Sequence, residues 1–133
     1  MYLSKLSKKQ KVLFIELCTS LSAIDNEFAE EEKNVIDQLC EEMRIKPKYN
    51  PTMDINEVVS KIACISNPRE KKMIAIELIG LVMADGKVAD EEKSLMKRVF
   101  NAFGLMEKDL DEAIVLVGDL YSTYNKFASF IDR

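Results

Sequence analysis

Residues 20–45 and 80–105 align without a gap at a constant offset of 60, and this internal match constrains the fold more than any other feature. Leu21 meets Leu81, Asp25 meets Asp85, Ala29 meets Ala89, and Glu31-Glu32-Lys33 meets Glu91-Glu92-Lys93. Elsewhere apolar meets apolar, as at Phe28/Val88, Ile36/Met96, Leu39/Val99, Met43/Phe103 and Ile45/Leu105. Asn26 meets Gly86, the two residue types that best tolerate a left-handed backbone. The shared unit reads helix, Asp-(Gly/Asn)-x-(Val/Phe)-Ala-acid-Glu-Glu-Lys, helix, with apolar positions recurring every three or four residues. The expected fold is all-α: one compact domain over residues 1–133, of about six or seven helices, with repeat units at about 7–45 and 68–105 and C-terminal helices over 107–133.

Local signals place the helices. Ser7-x-x-Gln10 is a capping box that opens the first, whose stripe is Leu13, Leu17, Leu21 and Ile24. The second begins near Glu30 and is expected to stop ahead of Pro47, since a proline disfavours helical geometry in the residue before it. Pro47 and Pro51 mark residues 46–52 as the clearest loop. Asp54-x-x-Glu57 starts a short helix, and Asn67-Pro68 supplies an N-cap followed by a proline at the first helical position. The segment from there to about Ala84 is apolar nearly all round, which marks a central helix. Gly104 is placed to end the helix that follows, and Leu110, Ile114, Val117, Leu120, Tyr121 and Tyr124 keep helical register in the last third. Phe127, Phe130 and Ile131 are expected to pack the tail back onto the core.

Composition narrows function by exclusion. With 23 acidic against 19 basic residues there is no basic excess to displace counterions from phosphates, so no nucleic-acid partner is expected. The chain has no histidine, which removes His-dependent triads and histidine metal sites, and it has no Gly-rich phosphate loop. Cys18, Cys40 and Cys64 form no CxxC pair and each lies in an apolar stretch, so buried, reduced thiols are expected. The longest apolar segment, Met73 to Ala84, carries Glu77 and is too short to span a bilayer; a cytoplasmic location is expected. Glu77 is either an edge residue reaching water or a buried charge that needs a cationic partner. Lys5, Lys8, Lys9 and Lys11 form a patch that reads as a solvated face, with anionic lipid or an acidic partner as the alternative.

The acidic turns admit two readings. In one, Asp25 and Asp85 hydrogen-bond the turn backbone, while Glu32 and Glu92 reach back to an unpaired N–H at the helix start. Ala29 and Ala89 stand where a capping box wants Ser, Thr, Asp or Asn, which leaves the glutamates without a reciprocal partner. In the other, Asp25, Glu32, Asp85 and Glu92 gather from both copies around a divalent cation. An oxygen-only set favours Ca²⁺ or Mg²⁺. An EF-hand is excluded, because Leu81 and Met83 occupy its leading ligand positions. An enzyme using paired carboxylates would need a pocket and a raised carboxyl pKa, so a non-enzymatic protein is expected.

Met83-Ala84-Asp85-Gly86-Lys87-Val88-Ala89-Asp90-Glu91-Glu92 and its weaker twin Ile24-Asp25-Asn26-Glu27-Phe28-Ala29-Glu30-Glu31-Glu32 resemble the TerB family of tellurite-resistance-associated helical domains. The first copy departs by carrying Asn26 for glycine, and both copies carry alanine at the capping position. The resemblance implies a bacterial cytoplasmic domain in a stress or tellurite response. It further implies a regulatory or scaffolding role, metal sensing through Asp25, Glu32, Asp85 and Glu92, and a protein partner near a membrane. The alternative is a metal-free protein-interaction module. Nothing in the sequence sets the oligomeric state.

Overall fold

Among the described residues, five helices begin with a side chain that satisfies backbone N–H groups which no preceding turn can reach. The computed structural model describes residues 1–23, 30–83 and 88–133 (of Glu31 the backbone alone). Among these are six α-helices and one short 3-10 turn, Leu3–Lys5, and no strand. Helix α1, Lys8–Ser22, opens on the Ser7/Gln10 capping box. Helix α2 spans Glu30–Met43, and α3, Ile55–Ile65, is capped by Asp54, whose carboxylate accepts the Asn56 N–H. Helix α4, Pro68–Val82, opens on a second capping box, Asn67 with Glu70, sixty residues after the first. Helix α5 spans Asp90–Ala102, and α6 is a single helix, Glu107–Ile131.

Helix α2 stops before proline has any say. Arg44 adopts a left-handed φ of 58°, its N–H donates to the Glu41 carbonyl, and the Ile45 N–H reaches back to the Cys40 carbonyl at 3.0 Å. Helix α5 ends identically: Gly104 has φ 75°, its N–H donates to Asn101, and the Leu105 N–H donates to Phe100 at 2.9 Å. Both are Schellman closures. At Gly104 the turn is unstrained, whereas Arg44 adopts it against the preference of an L side chain.

The core lies between α1 and α4. Phe14, Leu17, Cys18 and Leu21 of α1 and Ile74, Leu78, Ile79 and Leu81 of α4 are all but inaccessible to water. Helix α4 packs on α1, α2, α5 and α6, the central position its all-round apolarity implied, and α3 covers α1 and touches α5. Leu110, Ala113 and Val117 bind the start of α6 to this core.

Two expectations fail. Cys18 and Cys40 are buried, but Cys64 is exposed. It stands two residues past the inward Ile62, about 200° around the helix, so it faces away from the stripe of Val58 and Ile62. The tail does not fold back either, because α6 continues without a break and carries Phe127, Phe130 and Ile131 into solvent at 59, 67 and 76% exposure.

Candidate functional site

Glu32 and Glu92 each occupy the third position of their helix and are each only 7% exposed. At Glu92 one carboxylate oxygen accepts the Ala89 N–H at 3.3 Å, while the Ala89 carbonyl takes the Lys93 N–H at 2.9 Å and starts the helix. The alanine has no side-chain oxygen to give in return, so this is half of a capping box. Asp90, Glu91 and Glu92 together place three acids at the positive end of the α5 dipole, each worth about 0.3–1 kcal/mol when exposed. Helix α2 packs on α1, α4 and the N-terminal turn, and α5 on α3, α4 and α6, so the helices carrying the two glutamates both lean on α4.

Asp25 and Asp85, the other two residues of the expected metal set, lie outside the described residues, as do the turns that hold them. Among the described residues no three cysteine, aspartate or glutamate side chains gather into a metal-binding group.

Glu77 is a buried charge with a cationic partner. It is 7% exposed, and one oxygen accepts from the Met1 α-amine and from the Tyr2 N–H, both at 2.9 Å. Glu42 of α2 takes the same amine at 3.1 Å and the Leu3 N–H at 3.1 Å. Burial pulls the amine pKa down, but the two carboxylates outweigh it and hold the amine above its ordinary value. This clamp ties the N-terminal turn to α2 and α4.

A second ionic cluster was not foreseen. Glu16 of α1 is buried and accepts from Lys48 Nζ, Thr52 Oγ1 and, at 3.0 Å, the Thr52 N–H. Burial pushes its pKa up, but Lys48 and then Thr52 pull it further, to a net value below that of an ordinary glutamate. The proline-rich loop after α2 is thereby pinned to α1. The signal lay in the sequence, where Glu16 is a lone charge between Ile15 and Leu17.

Of the grooves on the surface of the described residues, two border polar or reactive side chains of interest. One, about 470 Å³, lies between α3 and α5 beside Cys64, with Arg98 donating to Asn56 Oδ1 at 2.6 Å. The other, about 560 Å³, lies between α2, α4 and α6 and includes Glu77, Tyr121 and Tyr124. Tyr121 Oη donates to the Gly80 carbonyl at 2.6 Å at its edge. Burial raises the Cys40 thiol pKa to about 11, and burial with the nearby Cys40 and Glu77 raises Cys18 well above its ordinary value.

These features define a class: an all-helical domain whose paired helices meet through an acidic segment and begin on buried glutamates. The family described as "Tellurite resistance protein TerB" matches residues 46–114, just over half of the chain. The chain belongs to the TerB family. The match takes in α3 to α5 and the beginning of α6, including the segment around Glu92, and leaves Glu32 and the end of α6 outside. No curated protein and no solved structure matches the chain. Among the described residues no helix is long and apolar enough to cross a membrane.

Proposed function

We propose that this protein is a non-enzymatic regulatory or scaffolding domain of the TerB type whose acidic segments take a divalent cation. The site would comprise Asp25 with Glu32 and Asp85 with Glu92, and the all-oxygen donor set suits Ca²⁺ or Mg²⁺. The observation that carries the reading is the burial of Glu92 within the family-matched segment. A glutamate that served only to soften a helix end would sit as well in water, whereas a ligand must be held in place. In the same reading the domain works in the cytoplasm of a bacterium under stress or tellurite challenge and passes the ion's presence to a protein partner near a membrane.

The Glu92–Ala89 hydrogen bond favours a second reading, in which the carboxylate closes the helix start and the domain binds protein without metal. Two variants separate the readings. Glu92→Gln keeps an oxygen for the Ala89 N–H but removes the charge, and Glu92→Ala removes both. Metal-free protein is titrated with Ca²⁺ and Mg²⁺ and followed by amide NMR. Ion binding in the wild type that is lost in both variants supports the site. No binding in the wild type, with Glu92→Ala costing about 0.5–2 kcal/mol and Glu92→Gln far less, supports the metal-free module.

A further inference from the structure

Helix α6 carries one apolar seam along its whole length, and only half of that seam is covered. Leu110, Ala113 and Val117 are buried against the domain, and Leu120 is half-buried. Tyr124, Phe127 and Ile131 continue the same seam at 57, 59 and 76% exposure, with Phe130 beside them. The spacing from Leu110 onward is three, four, three, four, three, four. Its mean is the 3.5-residue period by which one helix packs along another, and it continues past the residues that the domain covers.

We infer that the exposed half of α6 is a self-association surface, on which two copies of this chain pair through antiparallel C-terminal helices. Area sets the first condition. Aromatic side chains present roughly 150–250 Å² each. At the exposures found, Tyr124, Phe127, Phe130 and Ile131 offer on the order of 500 Å² per copy, so two copies bury about 1,000 Å², where specific interfaces begin.

Charge sets the second condition. Asp119 and Lys126 stand seven residues apart on the opposite face, no charged residue falls in the seam from Leu110 to Ile131, and beyond the helix end the Arg133 guanidinium lies over the Phe130 ring at 5.4 Å. Two copies therefore meet without like-charge repulsion. From Asp119 onward two acids balance two bases, so the helix lacks the basic face that an anionic membrane surface would select.

The pattern is also self-complementary. In an antiparallel pair centred between Asn125 and Lys126, Tyr124 lies against the partner's Phe127 and Ile131 against the partner's Leu120, in the alternation such pairs use. The two domain bodies then stand at opposite ends of the joint. The pairing residues all lie beyond the family-matched segment.

The test is sedimentation equilibrium of the full chain, with chelator present, from about 1 µM to about 1 mM, the range in which an interface of this size dissociates. The expected result is a mass rising from 15.2 kDa towards twice that value. Phe127→Asp and Ile131→Asp should each weaken pairing by at least about 100-fold with unchanged helicity and melting temperature, since both residues are mostly exposed in the single chain and border none of the grooves described. Monomer at every concentration would overturn the inference, whether or not the chain co-sediments with phosphatidylcholine–phosphatidylserine vesicles. A dimer that survives both substitutions would overturn it equally.

Discussion

Removing Lys48 should cost this fold far more than removing an ordinary surface lysine, and the cost should fade in acid. Exposed ion pairs contribute about 0–1 kcal/mol. Lys48 is itself partly exposed, but its partner Glu16 is buried in the face that α1 turns to the loop. Lys48→Ala leaves that carboxylate charged with only the Thr52 N–H and hydroxyl to hold it. Losing a partner from a fully buried pair costs about 3–5 kcal/mol. With one end of this pair in contact with water, about 1–3 kcal/mol is expected. Glu16→Ala instead strands the Thr52 N–H, at about 1–3 kcal/mol, and gives up its charge-assisted bond, for a total near 2–4 kcal/mol.

The sign with pH follows from the depressed Glu16 pKa. Its contribution is complete above the unfolded glutamate value of about 4.3 and is lost as pH falls through the lower folded value. Once Glu16 is protonated there is no charge for Lys48 to neutralise, so the penalty of Lys48→Ala should shrink between pH ~7 and pH ~3. Urea unfolding of wild type and both variants across that range supplies the measurement. A Glu16→Ala variant within about 0.5 kcal/mol of wild type at neutral pH, or a Lys48→Ala penalty that does not change with pH, would refute the reasoning.

Three further outcomes are expected. Arg44→Gly should raise stability by about 0.5–1 kcal/mol, because the residue already adopts a left-handed conformation, while Gly104→Ala should cost about 1–2 kcal/mol; thermal melts read both. No atom would crowd a Cβ at Gly104, so that penalty is conformational. In the native protein a thiol reagent should modify Cys64 rapidly and leave Cys18 and Cys40 untouched until the chain is unfolded, as a timed colorimetric titration would show.

Helix starts were legible because capping is chemistry between residues three apart: Ser7 with Gln10, and Asn67 followed by Pro68. The end of α2 was not, since an arginine in a left-handed turn has no local signature; only its place sixty residues before Gly104 pointed to it. Cys64 was misjudged because apolar neighbours in sequence do not share a helix face. The tail was misjudged because an apolar pattern records that a face will be covered, not by what. Of the site, Glu32 and Glu92 were legible as first-turn glutamates, and the Glu92 bond to Ala89 follows from their spacing. The Glu16 clamp depends on a loop folding back across 32 and 36 residues, a distance at which periodicity is silent.

The Tyr121 hydroxyl, bonded to the Gly80 carbonyl, is the outermost hydrogen bond from α6 to another helix among the described residues. Beyond it ten residues run on to Ile131, about 15 Å, in which Tyr124 still borders the groove against α2 and α4 while Phe127, Phe130 and Ile131 stand in solvent. Mechanically this is a lever with its fulcrum on α4, one turn before that helix gives way to the segment leading to Glu92. Whatever grips the free end of α6 pulls on that joint, so a load at the tip is delivered to the helix on which both glutamate-bearing helices rest.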